Sequence, residues 1–303
     1  MSLSKRRKIR YPMSDLLFHG FNYTLCVLII IITFYPFYYM VMLSISGGDT
    51  YAKILLWPIN LSFRAYSSLY SVANVGRGAF VSVARSVIGP FCTIFFTFMG
   101  AYVTSRQDLI FRKFFVRFIT FSMYFTAGMI PVYINITSLK LSGSFWVYII
   151  PGMVGAYSLI LIRAYISELP ISLQESAFID GANDLYIAWR IIFPLSMPVI
   201  AAIILFSFIG QWNAYMDTLL YNTHKTDLYT LQYILRNYMN ARLVQDAQTS
   251  INRQMEAANS GVRFSPEAIR MSLTVMVCIP ILIVYPFLQR YFIKGLLVGA
   301  IKG

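Results

Sequence analysis

The sequence predicts an all-α integral membrane protein with six transmembrane helices. The chain of 303 residues is 58% hydrophobic and only 12% charged, whereas a typical soluble domain carries about 25% charged residues. Its apolar residues form six runs, each close to the roughly 20 residues that cross a hydrocarbon core as a helix. Most positive charges flank these runs, so orientation on a membrane explains the net charge of +13 better than binding to nucleic acid does.

The first predicted span, Phe21–Ser44, follows a basic segment at residues 1–20. A basic segment also opens a secretory signal, but this apolar run is too long for one and no small-residue cleavage site follows it. We therefore predict an uncleaved span with a cytoplasmic N-terminal segment, and a single transmembrane domain over 21–303. The other five spans are predicted at Phe80–Thr104, Phe114–Thr137, Phe145–Tyr165, Met197–Leu219 and Met271–Tyr291.

Basic residues predict that both termini are cytoplasmic. Five lie in the first 20 residues and four between Arg106 and Arg117, and cytoplasmic loops are enriched in Lys and Arg. The predicted cytoplasmic tail, 290–303, contributes Arg290, Lys294 and Lys302. The same topology places the basic loop 222–270 outside, which is tolerated because the rule weakens for long loops.

The outer loop 222–270 is predicted to contain a helix and the start of the last span. Apolar residues recur at helical spacing from Leu231 to Met239, which predicts an amphipathic helix across the outer mouth. Ser265-Pro266 then predicts a helix start, because proline is favoured in the first helical turn.

A polar segment at 168–198 interrupts the apolar runs on the predicted cytoplasmic side. Ser172 and Glu175 have the spacing of a capping box, and Asp180-Gly181 predicts a bend because glycine adopts left-handed conformations at little cost. Asn183 is predicted to cap a second helix, which ends at Pro194 and Pro198. In this second helix one apolar face is predicted to hold Leu185, Trp189 and Ile192.

Several functional classes lack their sequence signals. The middles of the predicted spans contain no ionisable residue, and Arg85 and Arg117 lie near span ends, where long side chains reach the headgroups. There is no nucleotide-binding G-x-x-x-x-G-K-[ST] sequence and no catalytic constellation, so we do not expect an enzyme. The cysteines have no His or Cys neighbour at ligand spacing, so no metal and no bound cofactor is predicted.

Polar and aromatic residues cluster in the predicted outer halves of spans three and five. Aromatic faces and amides suit the apolar faces and hydroxyls of a sugar, so we interpret the group as a candidate substrate path. Interfacial aromatics and helix–helix hydrogen bonds are the alternative, especially for each tyrosine taken singly. The candidates are Tyr124, Tyr133, Asn135, Gln211, Trp212, Asn213, Tyr215 and Asp217.

The polar segment resembles the EAA loop of ABC-importer permeases, E-A-A-x-x-x-G followed after nine residues by I-x-L-P. In that family the loop is a coupling helix that docks in a cleft of a cytoplasmic ATPase. A plain cytoplasmic hairpin is the alternative. The residues that match the pattern are Glu175, Ala177, Asp180, Gly181, Ala182, Ile192 and Pro194, while Ser176 replaces the first alanine of the pattern. The resemblance implies that the ATPase-coupling residues are Glu175, Ser176, Ala177, Asp180, Gly181, Ala182 and Pro194.

Two further segments are similar to carbohydrate-type importers. These are the W-N-A-Y sequence at 212–215 and the ending at 285–303, which looks like the tail of the maltose-type G subunit. The resemblance, closest to permeases for complex oligosaccharides and polysaccharide fragments, implies a type I ABC importer permease fold in a bacterial cytoplasmic membrane. It implies a heterodimer with a homologous permease subunit, two ATPase subunits that bind ATP and Mg²⁺, and an extracytoplasmic solute-binding protein. It also implies that the basic tail lies near the ATPases.

The substrate follows less directly from the sequence. The outer loops carry more basic than acidic residues, which favours an anionic sugar such as a uronate oligomer, but the same charges would complement an acidic binding protein. An ABC permease for another polar solute is the first alternative. A secondary carrier or channel is the second, although it would need an intramembrane carboxylate or a pore-lining ring.

Overall fold

A computed structural model describes residues 13–46, 56–58, 60–63, 65–67, 69, 75–240 and 266–300, with backbone alone for 13, 16, 266, 267 and 287–300. These residues are almost entirely helical, and the only extended pairing among them is an isolated bridge between Ser46 and Leu61. The helices are α1 (Met13–Ser44), α2 (Val75–Ser105), α3 (Arg112–Tyr124), α4 (Met129–Ser138), α5 (Ala156–Glu168), α6 (Ser172–Ile179), α7 (Asp184–Leu195), α8 (Met197–Asn213), α9 (Met216–Tyr221), α10 (231–240) and α11 (Pro266–Ala300).

Three of these helices are long and apolar enough to cross a membrane by themselves. The membrane-length parts are Leu17–Ser44 of α1, all of α2, and Ala268–Pro286 of α11. Three bent helix pairs bring the possible number of spans to six among the described residues. The prediction of an all-helical fold is confirmed, and its spans are of two kinds, continuous and broken.

The third predicted span, Phe114–Thr137, is not one continuous helix. It breaks into α3 and α4, whose axes differ by 116°. Phe125 has extended backbone angles and Gly128 has φ +84°, a left-handed conformation that glycine adopts without a Cβ clash. The prediction of a continuous helix was wrong because average hydropathy does not detect a backbone reversal.

The fourth and fifth predicted spans are also interrupted. Phe145–Tyr165 begins with two short 3₁₀ turns, Phe145–Tyr148 and Ile150–Gly152, and becomes α-helical only at Ala156 after a 47° bend. Met197–Leu219 is helical only to Asn213, and α9 begins after a two-residue break. An 81° bend separates α8 from the preceding α7, as expected for a helix that ends near Pro194 and Pro198.

The chain forms two compact units. One contains Met1–Tyr66 and Ser260–Val275, in which the Ser272 hydroxyl donates to the carbonyl of Ser44 at 3.1 Å. The other contains Ser67–Asn259 and Met276–Gly303.

The second unit has a core in which α2, α5, α7 and α8 pack together. Phe98 on α2, Ile162 on α5 and Ile192 on α7 are fully buried in it. A Cβ at Gly100 would lie 2.9 Å from Leu159, so α2 and α5 approach closely because position 100 has no side chain. This core carries the 168–198 segment at one end of α2.

Candidate functional site

A cavity of about 550 Å³ lies in the second unit, and the broken third span supplies one wall. Met129, Val132 and Ile136 of α4 line it, because the reversal at 125–128 turns α4 away from the direction of α3. Its other apolar walls come from the 3₁₀ turns around Val147 and Pro151. The remaining lining residues include a compact polar group.

The centre of this polar group is Arg85. Its side chain is 2% exposed and donates from Nη2 to Asp217 Oδ2 at 2.7 Å. Nε donates to Gln211 Oε1 at 2.9 Å, and Nη1 donates to the carbonyl of Ala214 at 3.2 Å. The prediction that Arg85 reaches out to the headgroups was therefore wrong, because an ion pair and two hydrogen bonds stabilise it inside the protein.

Aromatic and amide groups complete the polar group. The guanidinium carbon of Arg85 lies 4.4 Å from the centre of the Tyr148 ring, within cation–π distance. Gln211 donates to the carbonyl of Tyr148 at 3.1 Å and packs against α2 at Gly89, where an added Cβ would lie 2.9 Å from the Gln211 side chain. These contacts fix Gln211 in one position.

Asp217 is the part of this group that a ligand can reach. Its side chain is 37% exposed, whereas that of Arg85 is 2% exposed. Among the described residues, its Oδ1 has no hydrogen-bond donor, and Asp217 lines the cavity together with Tyr221 and Ser207. The cavity therefore offers a carboxylate oxygen, a hydroxyl and aromatic surface.

The predicted path residues are not all brought together. Gln211 and Asp217 line the cavity, and Tyr133 stacks on Tyr221, another lining residue, with ring centres 5.5 Å apart. Trp212 is 2% exposed and its ring N–H donates to the carbonyl of Val277 at 2.9 Å. The remaining candidates lie elsewhere: Tyr215 against the Arg236 guanidinium, and Tyr124, Asn135 and Asn213 on the exposed surface.

Sequence reasoning missed Arg85, Tyr148 and Tyr221 as cavity residues. Arg85 is an arginine inside a membrane-length apolar helix, which by itself is a signal of function or pairing. The two tyrosines carried no distinguishing signal.

The 168–198 segment contains two short helices joined at a glycine bend, as predicted. Gly181 has φ +80°, and the Asn183 side chain accepts a hydrogen bond from the N–H of Tyr186 at 2.8 Å. The predicted capping box was wrong: Ser172 is already the first helical residue of α6, and the preceding residue, Ile171, makes no side-chain cap.

The buried face of α7 also differs from the predicted one. Residues 187–192 form a π-helical turn, whose i to i+5 spacing places Ile187 and Ile192 on the same buried face. Leu185 is instead exposed. Trp189 is half-buried and stacks on Phe95 of α2 with ring centres 5.5 Å apart.

The segment presents both charged and apolar groups on its surface. Glu175, Ser176, Asp180, Gly181 and Pro194 are exposed, whereas Ala177 is buried in the core and Ala182 is half-buried. Exposed apolar side chains surround them, at Ile171, Phe178, Ile179, Leu185 and Tyr186, with Ile179 at 86% exposure. Contiguous exposed apolar surface rimmed by polar groups is typical of a protein–protein contact.

The predicted tail lies mostly beyond the described side chains. Arg290 and Lys294 fall within the part of α11 for which the structure describes the backbone alone. Lys302 lies outside the described residues.

The fold and these two sites define a polytopic membrane protein with an internal cavity and a polar segment that exposes charged and apolar side chains. Residues 96–298 match the family described as "Binding-protein-dependent transport system inner membrane component", and the chain belongs to this family. The family is a transport family, which confirms that the chain is a permease component rather than an enzyme.

Individual relatives agree over nearly the whole chain. The chain is 34% identical to the polygalacturonan/rhamnogalacturonan transport system permease protein YtcP of Bacillus subtilis (strain 168), over 95% of this chain and 98% of the relative. It is 24% identical to the melibiose/raffinose/stachyose import permease protein MelC of the same organism, over 89% of this chain and 92% of that relative. Among solved structures, a bacterial ABC transporter involved in the import of the acidic polysaccharide alginate matches with a TM-score of 0.81 and 29% identity, over 94% of this chain and 100% of that chain.

Proposed function

We propose that this chain is the transmembrane permease subunit of an ATP-driven, binding-protein-dependent sugar importer. The observation that carries the proposal is the 168–198 segment, in which α6 presents Glu175 and exposed apolar side chains while Ala177 anchors it in the core beside α2. A short helix that is exposed on one side to a partner and packed on the other side against a membrane-length helix can transmit a movement of the partner to the membrane domain.

The partners follow from the family. A binding-protein-dependent importer of this kind works with a second permease, an ATPase and a solute-binding protein. For this chain we infer a heterodimer with a homologous permease and two ATPase subunits, which bind ATP and Mg²⁺ themselves. Both termini and the 168–198 segment then face the cytoplasm of a bacterial cell, and the basic tail with Arg290, Lys294 and Lys302 lies near the ATPases.

The proposed substrate is an oligosaccharide, including anionic ones that contain uronates. The relatives named for polygalacturonan/rhamnogalacturonan and alginate support an acidic substrate. The cavity beside Arg85 and Asp217 would form this chain's half of the path, because aromatic rings suit the apolar faces of sugars and a carboxylate oxygen accepts from their hydroxyls. Because the exposed charge in the cavity is Asp217, which repels a carboxylate, the cavity supports contact with the hydroxyls and ring faces of the sugar, and the support for an anionic substrate comes from the relatives alone.

The loop 222–270 is proposed to face the binding protein. The part of this loop before residue 241 is held on the N-terminal half of α2: the N–H of Leu231 donates to Ser82 Oγ at 2.8 Å, and Arg77 donates to the carbonyl of Asp227 at 3.3 Å. A surface fixed to α2 in this way can transmit contact with a partner to the span that carries Arg85.

The test is purification of the chain with the products of neighbouring genes, followed by ATPase assays with sugar-loaded binding proteins. We expect one loaded binding protein to stimulate ATP hydrolysis, with loss of stimulation in the double variant Glu175→Lys/Asp180→Lys. A chain that purifies without an ATPase, in a genome context that encodes none nearby, would overturn the proposal and favour a secondary carrier or channel.

A further inference from the structure

Arg106 lies one residue beyond the end of α2 and contacts three separate points on the cytoplasmic-loop side of the second unit. Its guanidinium donates from Nε and Nη2 to both carboxylate oxygens of Asp108, at 2.9 and 2.8 Å. Nη1 donates to Asp184 Oδ1 at 2.8 Å. The guanidinium carbon also lies 4.8 Å from the centre of the Phe178 ring.

These contacts connect both sides of the glycine bend. Phe178 belongs to α6 and Asp184 is the first residue of α7, so Gly181 lies between the two points that Arg106 contacts. A Cβ built at Gly181 would meet nothing within 4 Å, so side-chain packing does not hold the bend at that position. Backbone hydrogen bonds close the bend locally, from the N–H of Gly181 to the carbonyl of Phe178 and from the N–H of Ala182 to that of Ala177, at 3.0 Å each. The Arg106 guanidinium adds a side-chain bridge across it, since its planar fork can bind two carboxylates and stack on a ring.

The arginine is well suited to a fixed role. It is 19% exposed in its side chain, whereas its two carboxylate partners are mostly exposed. The hydrogen bonds to Asp108 raise the pKa of Arg106, and those same bonds lower the pKa of Asp108 below its ordinary value. Both groups therefore remain charged near neutral pH.

We propose that Arg106 is a positioning residue that makes α6, the bend and α7 move as one body with α2. This inference rests on the proposed coupling function of the 168–198 segment. Helix α2 also carries Arg85, which precedes Arg106 by 21 residues. This separation corresponds to about 30 Å along an α-helix. Movement of α6 would therefore reach the cavity through α2, with Arg106 as the polar link at one end and the Arg85–Asp217 pair at the other.

The test uses the purified complex with its ATPase and binding protein, reconstituted in liposomes. In Arg106→Gln we expect normal assembly and basal ATP hydrolysis, but sugar uptake per ATP lowered about tenfold, within the range of coupling free energies between sites. Arg106→Lys should recover uptake only in part, because a single ammonium cannot bind two carboxylates as a fork and stack on Phe178. Asp184→Ala should also lower uptake per ATP, since it removes the carboxylate that accepts from Arg106 Nη1.

The matched control is Lys113→Gln, which removes a positive charge from an exposed residue in the first turn of α3, seven residues after Arg106. It should leave uptake per ATP unchanged. Equal losses of complex yield, ATPase activity and uptake in Arg106→Gln would overturn the proposal by showing a merely structural role, and so would unchanged uptake per ATP. If the unsubstituted complex shows no stimulated ATPase activity, the proposed function itself fails. If that complex is active and Arg106→Gln leaves uptake per ATP unchanged, only the role of Arg106 fails.

Discussion

Arg85 and Asp217 form an ion pair of 2.7 Å between α2 and α9, across a sequence separation of 132 residues. The arginine is buried and the aspartate is partly exposed, and both line the cavity, so the pair gives this part of the wall a charge-compensated surface. A buried charge left without its partner is strongly destabilising, whereas removal of both charges together costs much less.

This asymmetry gives the first prediction. Asp217→Asn should lower the thermal stability of the purified complex, and we expect a cost of about 2 kcal/mol, below the value for a fully buried pair because Asp217 is partly exposed. The double variant Arg85→Gln/Asp217→Asn should recover much of that loss. Thermal melting monitored by size-exclusion chromatography would measure both. Losses that simply add in the double variant would show that the two charges do not stabilise each other.

A second prediction concerns the packing of Gln211 against Gly89. Gly89→Ala should displace the Gln211 side chain, because the new Cβ would lie 2.9 Å from it, and so should disturb the hydrogen bond to Arg85. We expect normal membrane insertion with lowered sugar uptake. The matched control is Gly20→Ala on α1, which is not a lining residue of the cavity and has nothing within 4 Å of the added Cβ. Equal uptake in the two variants would contradict the assigned role of Gln211.

The third prediction tests the bend of the 168–198 segment. Gly181→Ala should strain the backbone by about 1 kcal/mol, since φ is +80° and no side chain is in the way. Gly181→Pro, which cannot adopt a positive φ, should abolish ATP-driven uptake while insertion remains intact. Uptake into vesicles would measure transport, and an immunoblot of chain abundance would measure insertion, so a loss of transport could be distinguished from a loss of inserted protein.

The control for that series is Gly20→Ala in α1, a helical position with open space around the added Cβ and no positive φ. It should leave both abundance and uptake at the level of the unsubstituted chain. Normal uptake in Gly181→Pro would remove the coupling role from the bend.

The fourth prediction separates two roles of Trp212. Because its ring N–H is bonded to Val277 and its side chain is buried, Trp212→Phe should lower stability by about 1 kcal/mol without changing which sugars compete for uptake. Competition assays with neutral and uronate-containing oligosaccharides would measure selectivity. A changed selectivity at unchanged stability would instead support direct contact with sugar, as the sequence pattern suggests.

Much of the local structure could be predicted because it depends on neighbouring residues. The bend at Gly181 and the cap at Asn183 follow from the conformational freedom of glycine and the acceptor oxygen of asparagine. The helix at 231–240 follows equally from the helical spacing of its apolar residues, whereas the predicted helix start at Ser265-Pro266 includes a residue outside the described ones. The face of α7 was predicted incorrectly because a single π-helical turn changes the period on which the prediction depends.

The sequence by itself determined that the chain is helical and that it is apolar enough for a membrane. It also determined that residues 168–198 form two short helices joined at a bend, with the pattern of a coupling loop. These properties depend on composition and on spacings of a few residues. Only the tertiary structure decided that the third span breaks at 125–128 and that Arg85 is buried against Asp217. It also decided that Arg106 bridges α6 and α7, because pairing between residues far apart in the chain is set by how helices pack, which no local pattern records.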